Sequence, residues 1–359
     1  MSMTNFLKDI LRQPLELQRA LDYLSGVGRP GLDEAAVAIN HAHHVYVTGI
    51  GASWHAALNA GSMFHSGGRP VYLHDAAELL HFATIPPDAA IIILSRSGRS
   101  AEIVGLLQKA HASRATVVGV TNASDGCLAR EAQFPIVVPV GFDHGISVNT
   151  YSSLALAAGA LASTTFKSFD PALVAQLMLS VAETIRLIPV WQEQIAESAW
   201  FAPTAYPYYF LARGASLGSC YEARLLWEEG AKMPATSMGT GAFRHGPQEI
   251  VTPGARFGMW IDATSMRNED LSVVRDLGRL GASVMLIGQG LSGEAGDLVF
   301  RLPEMPRDWQ FLIDIIPAQL GAEHISRLAG ANCDAFRICS YVVEGEYGLL
   351  PERATVPTR

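Results

Sequence analysis

One stretch of sequence decides the fold of this chain: Ala89-Ala-Ile-Ile-Ile-Leu-Ser95-Arg96-Ser97-Gly98-Arg99-Ser100-Ala-Glu102. Its first half is a continuous apolar run, which is typical of a strand buried on both faces of a parallel sheet. The run ends at a loop with three serines, and a helical pattern follows directly. Hydroxyl donors, a glycine that lets the backbone approach a ligand, and the N–H groups of the next helix together predict a phosphate site. Ordinary serine turn chemistry is the alternative. The position at a strand's carboxyl end favours the phosphate, because α/β proteins usually bind ligands there.

Short apolar strands and helical patterns alternate on both sides of this stretch. The strands of the first half are predicted at 45–49, 70–74, 91–94, 115–120 and 135–139. Such alternation indicates βαβ units and a parallel, doubly wound sheet.

The same order of elements starts again in the second half of the chain. Strands are predicted at 208–212, 257–261, 283–288 and 297–302, and Gly214-Ala-Ser216 repeats the Gly51-Ala-Ser53 turn. The second half has Asp262-Ala-Thr264-Ser265 where the first has its serine loop. We infer a duplication at domain scale, with phosphate binding kept by the first copy.

The predicted fold class is therefore α/β, with two tandem domains that each contain a doubly wound parallel five-stranded sheet flanked by helices. The expected boundaries are a helical segment at 1–34, a phosphosugar-binding domain at 35–168, a helical linker at 169–200, a second domain at 201–340 and a tail at 341–359.

Composition limits the classes of function. The 359 residues are 49% hydrophobic and 17% charged, with a net charge of −8, which argues against a nucleic-acid partner. The apolar stretch 151–166 is shorter than the roughly 20 residues of a membrane span and predicts a helix inside the core. No signal peptide is recognised and the four cysteines have no metal-binding spacing. We therefore expect a cytoplasmic protein with no metal and no membrane partner.

A dinucleotide site is an alternative reading of the first turn. Gly49-Ile-Gly51 follows a strand, and Asp75 follows the next one. The third glycine of that motif is missing, because the turn continues as Ala52-Ser53-Trp54. We expect no NAD and no other cofactor.

Two further elements carry titratable side chains. Glu222 and Glu229 share one face of a predicted helix, although a solvated acidic face with an Arg224–Glu228 pair explains the pattern equally well. His245 lies in the tight element Phe243-Arg-His-Gly-Pro247, where a histidine could transfer protons near neutral pH.

Taken together, these motifs resemble the tandem sugar isomerase (SIS) family over about residues 30 to 340. Within that family, the motifs resemble those of the isomerase half of glucosamine-6-phosphate synthase and of the fructosamine-6-phosphate deglycases. The resemblance implies that Glu229 moves a proton between C1 and C2 through an enediol or enolamine. It also implies that His245 helps to open the sugar ring, reaching across from the partner subunit of a homodimer. The implied substrate contacts are Gly51, Ala52, Ser53, Ser95, Arg96, Ser97, Gly98, Ser100, Asn149 and Glu222.

The chain departs from the family pattern at three places. Ser2 stands where the synthase has a cysteine, so we expect no glutaminase domain. Leu226 and Tyr341 stand where the synthase has two lysines, one of which forms a Schiff base with the ketose. Loss of these lysines favours a substrate that already carries nitrogen, an amino-sugar or fructosamine 6-phosphate that is deaminated or deglycated. A sugar-phosphate sensor without catalytic activity is the alternative.

Overall fold

The computed structural model describes residues 3–293, 296–306 and 308–349, and its first half forms one parallel sheet of five strands. The order of the strands across the sheet is β2-β1-β3-β4-β5. Residues 1–2 of the predicted N-terminal segment and residues 350–359 of the predicted tail lie outside the described residues. The strands are β1 His44–Thr48, β2 Tyr72–Leu73, β3 Ala89–Ser95, β4 Thr116–Thr121 and β5 Phe134–Val137.

The second half forms another parallel five-stranded sheet, in the order β10-β9-β8-β6-β7. When the strands of each half are numbered from the first strand of that half, the two sheets have the same strand order, written here from opposite edges. The predicted α/β fold with two five-stranded sheets flanked by helices is confirmed. The strands are β6 Tyr208–Ala212, β7 Ala235–Gly239, β8 Arg256–Trp260, β9 Ser283–Gln289 and β10 Leu298–Leu302.

Strand β7 was not predicted from the sequence. Its residues, Ala-Thr-Ser-Met-Gly, are all half-buried at the edge of the sheet. Such a segment shows neither the apolar run of a central strand nor a regular alternation, so periodicity could not identify it.

Twelve α-helices connect and cover the sheets among the described residues. They are α1 Asn5–Ser25, α2 Arg29–His41, α3 Ala52–Ser66, α4 Ala76–His81, α5 Ala101–Ser113, α6 Cys127–Glu131, α7 Asn149–Thr165, α8 Pro171–Glu197, α9 Leu217–Leu226, α10 Thr240–Phe243, α11 Arg267–Arg279 and α12 Ile316–Leu328.

Strand β3 shows why the deciding stretch is continuously apolar. Ile92 and Leu94 point into a large core shared with the second half, whereas Ile91 and Ile93 pack against α5 in a smaller core on the opposite face. Both faces are covered, because successive side chains of a strand point to opposite sides. Helix α7 is buried along its whole length, as predicted for residues 151–166.

Helices α3 and α9 place the two halves side by side. Each follows the first strand of its own sheet, and the two helices pack against each other, with α3 also packed against α7. The two helices run antiparallel, because His55 near the start of α3 contacts Glu222 near the end of α9, whereas Gly214 before α9 lies near Ser62 toward the end of α3. The carboxyl end of β1 therefore lies beside the end of α9, where loops of the first half can contact the second half.

One described helix, α8, is long and apolar enough to cross a membrane by length and composition alone. Core helices of soluble proteins meet the same criterion. Helices α1 and α12 pack along α8, and Val181, Ile188 and Trp191 are buried on it.

Candidate functional site

A cavity of about 220 Å³ opens where strands β1 and β3 end. These strands are neighbours, but the chain leaves β1 toward one edge of the sheet and β3 toward the other. Ligands of doubly wound proteins bind at such a switch point. The cavity is lined by the loop after β1, the loop after β3, the end of α9 and residues 336–343.

Most of the predicted contacts lie on the wall of this one cavity. They come from both loops and from the second half of the chain: Gly51, Ala52, Ser53, Ser95, Arg96, Ser97, Ser100 and Glu229.

The three serines of the loop after β3 keep hydroxyl donors available to a ligand. The Oγ of Ser95 accepts a hydrogen bond from the N–H of Gly98 at 3.0 Å, and the Oγ of Ser97 accepts one from the N–H of Arg99 at 3.2 Å. The serine side chains therefore stabilise the turn, as the alternative interpretation expects, but their oxygens only accept hydrogen bonds there. Each hydroxyl retains its hydrogen for an anion. Ser100 precedes α5, and its side chain makes no capping hydrogen bond.

Gly98 shapes the loop without lining the cavity. Its φ of +64° lies in the region that favours glycine, and an added Cβ would come within 3.0 Å of the Cβ of Leu128. The side of Gly98 where a side chain would stand thus faces α6 and not the cavity. The contact of Gly98 with substrate that the resemblance implies stays a prediction.

Arg96 brings a positive charge to the cavity wall. The guanidinium of Arg96 donates to the Oγ of Ser147 at 3.0 Å and lies 3.9 Å from the centre of the Tyr341 ring. It also donates to the carbonyl of Tyr341. These contacts fix the guanidinium group between the serine loop and residues 336–343.

Residues 336–343 form the wall that sequence reasoning did not resolve. The carbonyl of Val343 accepts from the N–H of Ala101, the first residue of α5, at 3.0 Å. The hydroxyl of Tyr341 donates to the carbonyl of Asp143 at 3.1 Å. This segment has no regular secondary structure, so no periodic signal marked it in the sequence.

Glu229 lines the same cavity as the serine loop, from the second half of the chain. It lies in a π-helical turn, Trp227–Ala231, that continues α9, and such turns occur often at functional sites. Burial, and then the negative charge of Glu222, raise the pKa of Glu229 from 4.5 to about 7, while Arg96 and Lys232 oppose the rise. A carboxyl group with this pKa can both accept and return a proton near neutral pH.

Glu222 does not line the cavity, although it was expected to contact substrate. It is buried, and its Oε2 lies 2.7 Å from the Nδ1 of His55 on α3. The interpretation of this helix face as solvated is wrong for Glu222. The pair joins α3, which begins at the Gly51-Ala-Ser53 turn, to α9, which leads to Glu229.

Asn149 also lies away from the cavity wall. It is buried at the start of α7, and its side-chain amide donates to Asp143 Oδ1 at 2.7 Å and to the carbonyl of Asp9 at 3.1 Å. Asp143 in turn accepts from the N–H groups of residues 148–150, so this cluster caps the helix N-terminus.

His245 is exposed just after α10 and is not on the wall of the cavity in its own chain. Among the described residues, no group of three or more histidines, cysteines or carboxylates is arranged to hold a metal ion.

Comparison with known proteins gives a partial family match. Residues 38–163 match the model of the SIS domain. The chain is 24% identical over 336 residues to a glutamine–fructose-6-phosphate aminotransferase (isomerizing) of Pyrococcus horikoshii, covering 91% of this chain and 55% of that protein. It is 26% identical over 346 residues to the aminotransferase of that name from Streptococcus pyogenes, with 91% and 56% covered. The chain thus spans about half the length of the curated relatives it matches.

Solved structures share the fold over nearly the whole chain. The C-terminal domain of glucosamine-fructose-6-phosphate aminotransferase from Francisella tularensis has a TM-score of 0.81 at 18% identity, covering 92% of this chain and 98% of that one. Tagatose-6-phosphate ketose/aldose isomerase from Escherichia coli has a TM-score of 0.78 at 19% identity, with 92% and 95% covered. Glucosamine-6-phosphate deaminase from Thermotoga maritima has a TM-score of 0.77 at 19% identity, with 95% and 99% covered.

Proposed function

We propose that this chain, in which residues 38–163 match the SIS domain, is a phosphosugar isomerase that acts on an amino-sugar or fructosamine 6-phosphate. The observation that carries the proposal is that one cavity brings together the serine loop of the first half and Glu229 of the second. The names of the similar proteins, which include an aminotransferase, an isomerase and a deaminase of sugar phosphates, agree with this substrate class.

The phosphate is anchored by the first half. The hydroxyls of Ser95, Ser97 and Ser100 donate to its oxygens, and Arg96 supplies a charge at the rim. Helices α3 and α5 both begin at the cavity, and the partial positive charge of a helix N-terminus favours an anion. This anchoring orients the sugar and takes no part in the bond changes.

Glu229 transfers the proton. With a fructosamine 6-phosphate, its carboxylate removes a proton from C1. The C1–H electron pair forms the C1=C2 bond while the C2 carbonyl oxygen takes up a proton. Return of the proton to C2 leaves an iminium at C1, which water hydrolyses to an aldose 6-phosphate and a free amine. With a 2-amino sugar the transfer runs from C2 to C1, and the iminium forms at C2.

Two positions support a substrate that already carries nitrogen. Leu226 is fully buried, and Tyr341 is held under Arg96. Neither supplies an amine that could form a Schiff base with a ketose. In the proposed reaction the substrate's own carbonyl therefore activates the proton that Glu229 removes, and the substrate's own nitrogen becomes the iminium that water hydrolyses.

The remaining parts of the proposal concern organisation. Residues 35–168 and 201–340 form two SIS domains, the second being a diverged copy, with helical segments at 1–34 and 169–200 and a tail at 341–359. The chain forms a cytoplasmic homodimer in which the exposed His245 reaches the cavity of the partner subunit and helps to open the sugar ring.

Proton exchange in D2O tests the proposal. The wild-type protein should exchange the C1 hydrogen of a fructosamine 6-phosphate for deuterium and release aldose 6-phosphate, both followed by NMR. Glu229→Gln should abolish exchange but retain ligand binding, whereas Glu228→Gln, the neighbouring carboxylate paired with Arg224 at 3.6 Å, should retain both. Exchange that persists in Glu229→Gln would refute the assignment.

Loss of both family lysines favours one alternative, a sugar-phosphate sensor. A sensor would show a higher melting temperature with amino-sugar phosphates but neither exchange nor release of amine. Release of amine by the wild-type protein would exclude this alternative.

A further inference from the structure

A single positive charge stands on the wall of the cavity at the ends of β1 and β3. Of the described residues that line this cavity, only Arg96 has a cationic side chain, whereas Glu102 and Glu229 carry carboxyl groups. Lys232 and Arg337 line a second cavity, which adjoins the first one at Glu229. Arg96 is therefore the cation that an anion formed inside the first cavity would meet on its wall.

The proposed reaction forms such an anion. When Glu229 removes the proton next to the carbonyl group, the C–H electron pair forms the carbon–carbon double bond and the carbonyl π pair moves onto the oxygen. Negative charge thus passes from the carboxylate to the substrate. Burial disfavours the ionised form of Glu229, and a bare oxyanion in the same surroundings is disfavoured likewise. Enzymes stabilise such a charge with hydrogen-bond donors aimed at the oxygen where it develops.

The guanidinium group of Arg96 is held within electrostatic reach of Glu229. Arg96 is the stronger of the two cations that oppose the rise in the pKa of Glu229. It donates to the Oγ of Ser147 at 3.0 Å, to the carbonyl of Gly145 at 3.5 Å and to the carbonyl of Tyr341. In the described part of the chain, none of its side-chain hydrogen bonds reaches the serine loop, so the loop does not use up its donors.

Arg96 keeps donors free for a ligand. A guanidinium group has five N–H donors in one plane, and the described hydrogen bonds occupy two on Nη1 and one on Nη2. The Nε–H and one N–H of Nη2 remain available to an oxygen in the cavity that Arg96 lines.

Tyr341 determines where these free donors point. The centre of its ring lies 3.9 Å from the guanidinium carbon of Arg96, and stacking of this kind covers a face of the guanidinium plane while its edges stay free. The phenol hydroxyl donates to the carbonyl of Asp143 at 3.1 Å, which fixes the ring in turn.

We propose that the free N–H groups of Arg96 stabilise the negative charge that develops on the carbonyl oxygen of the substrate, and that Tyr341 is the residue that positions them. The inference rests on the proposed function and adds a catalytic residue to it. With a fructosamine 6-phosphate, the oxygen is that of C2. Arg96 gives up no proton, because a guanidinium group stays protonated in proteins; the proton that the oxygen finally takes up comes from water.

Two ligands that share the phosphate and differ at the reacting carbons test this inference. Sorbitol 6-phosphate has no carbonyl group, whereas arabinonohydroxamate 5-phosphate places a planar, anionic hydroxamate where C1 and C2 of the enolate would lie. Arg96→Gln should weaken binding of the hydroxamate about 10- to 100-fold, as expected for a hydrogen bond to a charged group. It should slow C1 exchange at saturating substrate about 100- to 1000-fold. Binding of sorbitol 6-phosphate should weaken only about threefold or less, because the charge of Arg96 acts on the phosphate from the rim.

Matched variants separate the roles. Arg99→Gln changes an arginine of the same loop that is paired with Asp125 and does not line the cavity; binding of both ligands and C1 exchange should stay unchanged. Tyr341→Phe keeps the stacked ring and should keep most of the exchange rate. Tyr341→Leu should slow exchange about tenfold or more, because the donors of Arg96 lose their direction. Retained binding of sorbitol 6-phosphate shows that each variant is folded.

The possible failures are distinguishable. Equal weakening of both ligands in Arg96→Gln, or an unchanged exchange rate at saturation, would overturn the inference and leave the isomerase proposal standing. Wild-type exchange in Tyr341→Leu would overturn the positioning role of the tyrosine. A wild-type protein that binds both ligands but exchanges no C1 or C2 hydrogen of any amino-sugar or fructosamine 6-phosphate would refute the proposed function, and the inference with it.

Discussion

Replacing Glu229 by glutamine should make the protein more stable while abolishing turnover. Burial and the charge of Glu222 raise the pKa of Glu229 from 4.5 to about 7, so the folded protein disfavours its ionised form. At 1.36 kcal/mol per pKa unit, this rise corresponds to about 3 kcal/mol of stability that the wild-type protein loses once Glu229 is ionised. Glutamine occupies nearly the same volume and never ionises.

The gain should depend on pH in a defined direction. Between pH 4.5 and about 7 the folded state binds more protons at Glu229 than the unfolded state, so this residue's contribution to stability falls as pH rises. Above about 7 the effect levels off. We therefore expect Glu229→Gln to raise the free energy of unfolding by about 1.4 kcal/mol at pH 5.5 and by about 3 kcal/mol at pH 8.

Urea unfolding at the two pH values measures this difference. Glu228→Gln is the matched control, because its carboxylate is one residue away, is paired with Arg224 and is the weakest of the causes that raise the pKa of Glu229. Its gain in stability with rising pH should be much smaller than that of Glu229→Gln. A gain in Glu229→Gln that is equal at both pH values, or a loss of stability at pH 8, would refute the account of the Glu229 environment.

Three further predictions follow from the same site. Ser97→Ala removes one hydroxyl donor to a charged ligand, worth about 1.5–3 kcal/mol, and should raise the KM for a phosphorylated sugar about 10- to 100-fold. His55→Ala leaves Glu222 buried without its partner at 2.7 Å and should lower the free energy of unfolding by about 3–5 kcal/mol, with partial recovery in His55→Ala/Glu222→Gln. The kcat/KM of the wild-type enzyme should rise with pH through about 7, because the base is the ionised form of Glu229.

Each of these has a clear opposite outcome. An unchanged KM in Ser97→Ala would remove that hydroxyl from the phosphate site. A loss below about 1 kcal/mol in His55→Ala, or no recovery in the double variant, would show that the buried pair does not couple the two helices. Activity that falls as pH rises through about 7 would mean that Glu229 must be protonated for the step that limits the rate.

The fold could be predicted largely because parallel strands leave a strong sequence signal. The run 89–94 is apolar at every position since both of its faces are buried, and the serine loop marks its end. Strand β7 left no such signal, because an edge strand of half-buried, small and polar residues resembles a loop. Strand β7 is held by its hydrogen bonds to β6, and the hydrophobic periodicity of a sequence does not reveal such pairing.

The site could be predicted where function is carried by consecutive residues. The serine loop and the Gly51-Ala-Ser53 turn line one cavity because each directly follows a strand of the first sheet. Glu222 and Asn149 were predicted at the site from the resemblance. In the structure each is buried and hydrogen-bonded to another side chain, Glu222 to His55 and Asn149 to Asp143, and these contacts depend on how the segments pack. The wall formed by residues 336–343 likewise depends on long-range contacts with Arg96 and α5.

A crystal structure with a bound hexose 6-phosphate tests the central claim most directly. The account predicts phosphate oxygens within hydrogen-bond distance, about 2.5–3.2 Å, of the hydroxyls of Ser95, Ser97 and Ser100, with C1 and C2 of the sugar beside the carboxylate of Glu229. A phosphate bound instead between Lys232 and Arg337, or a sugar whose C1 and C2 point away from Glu229, would contradict it.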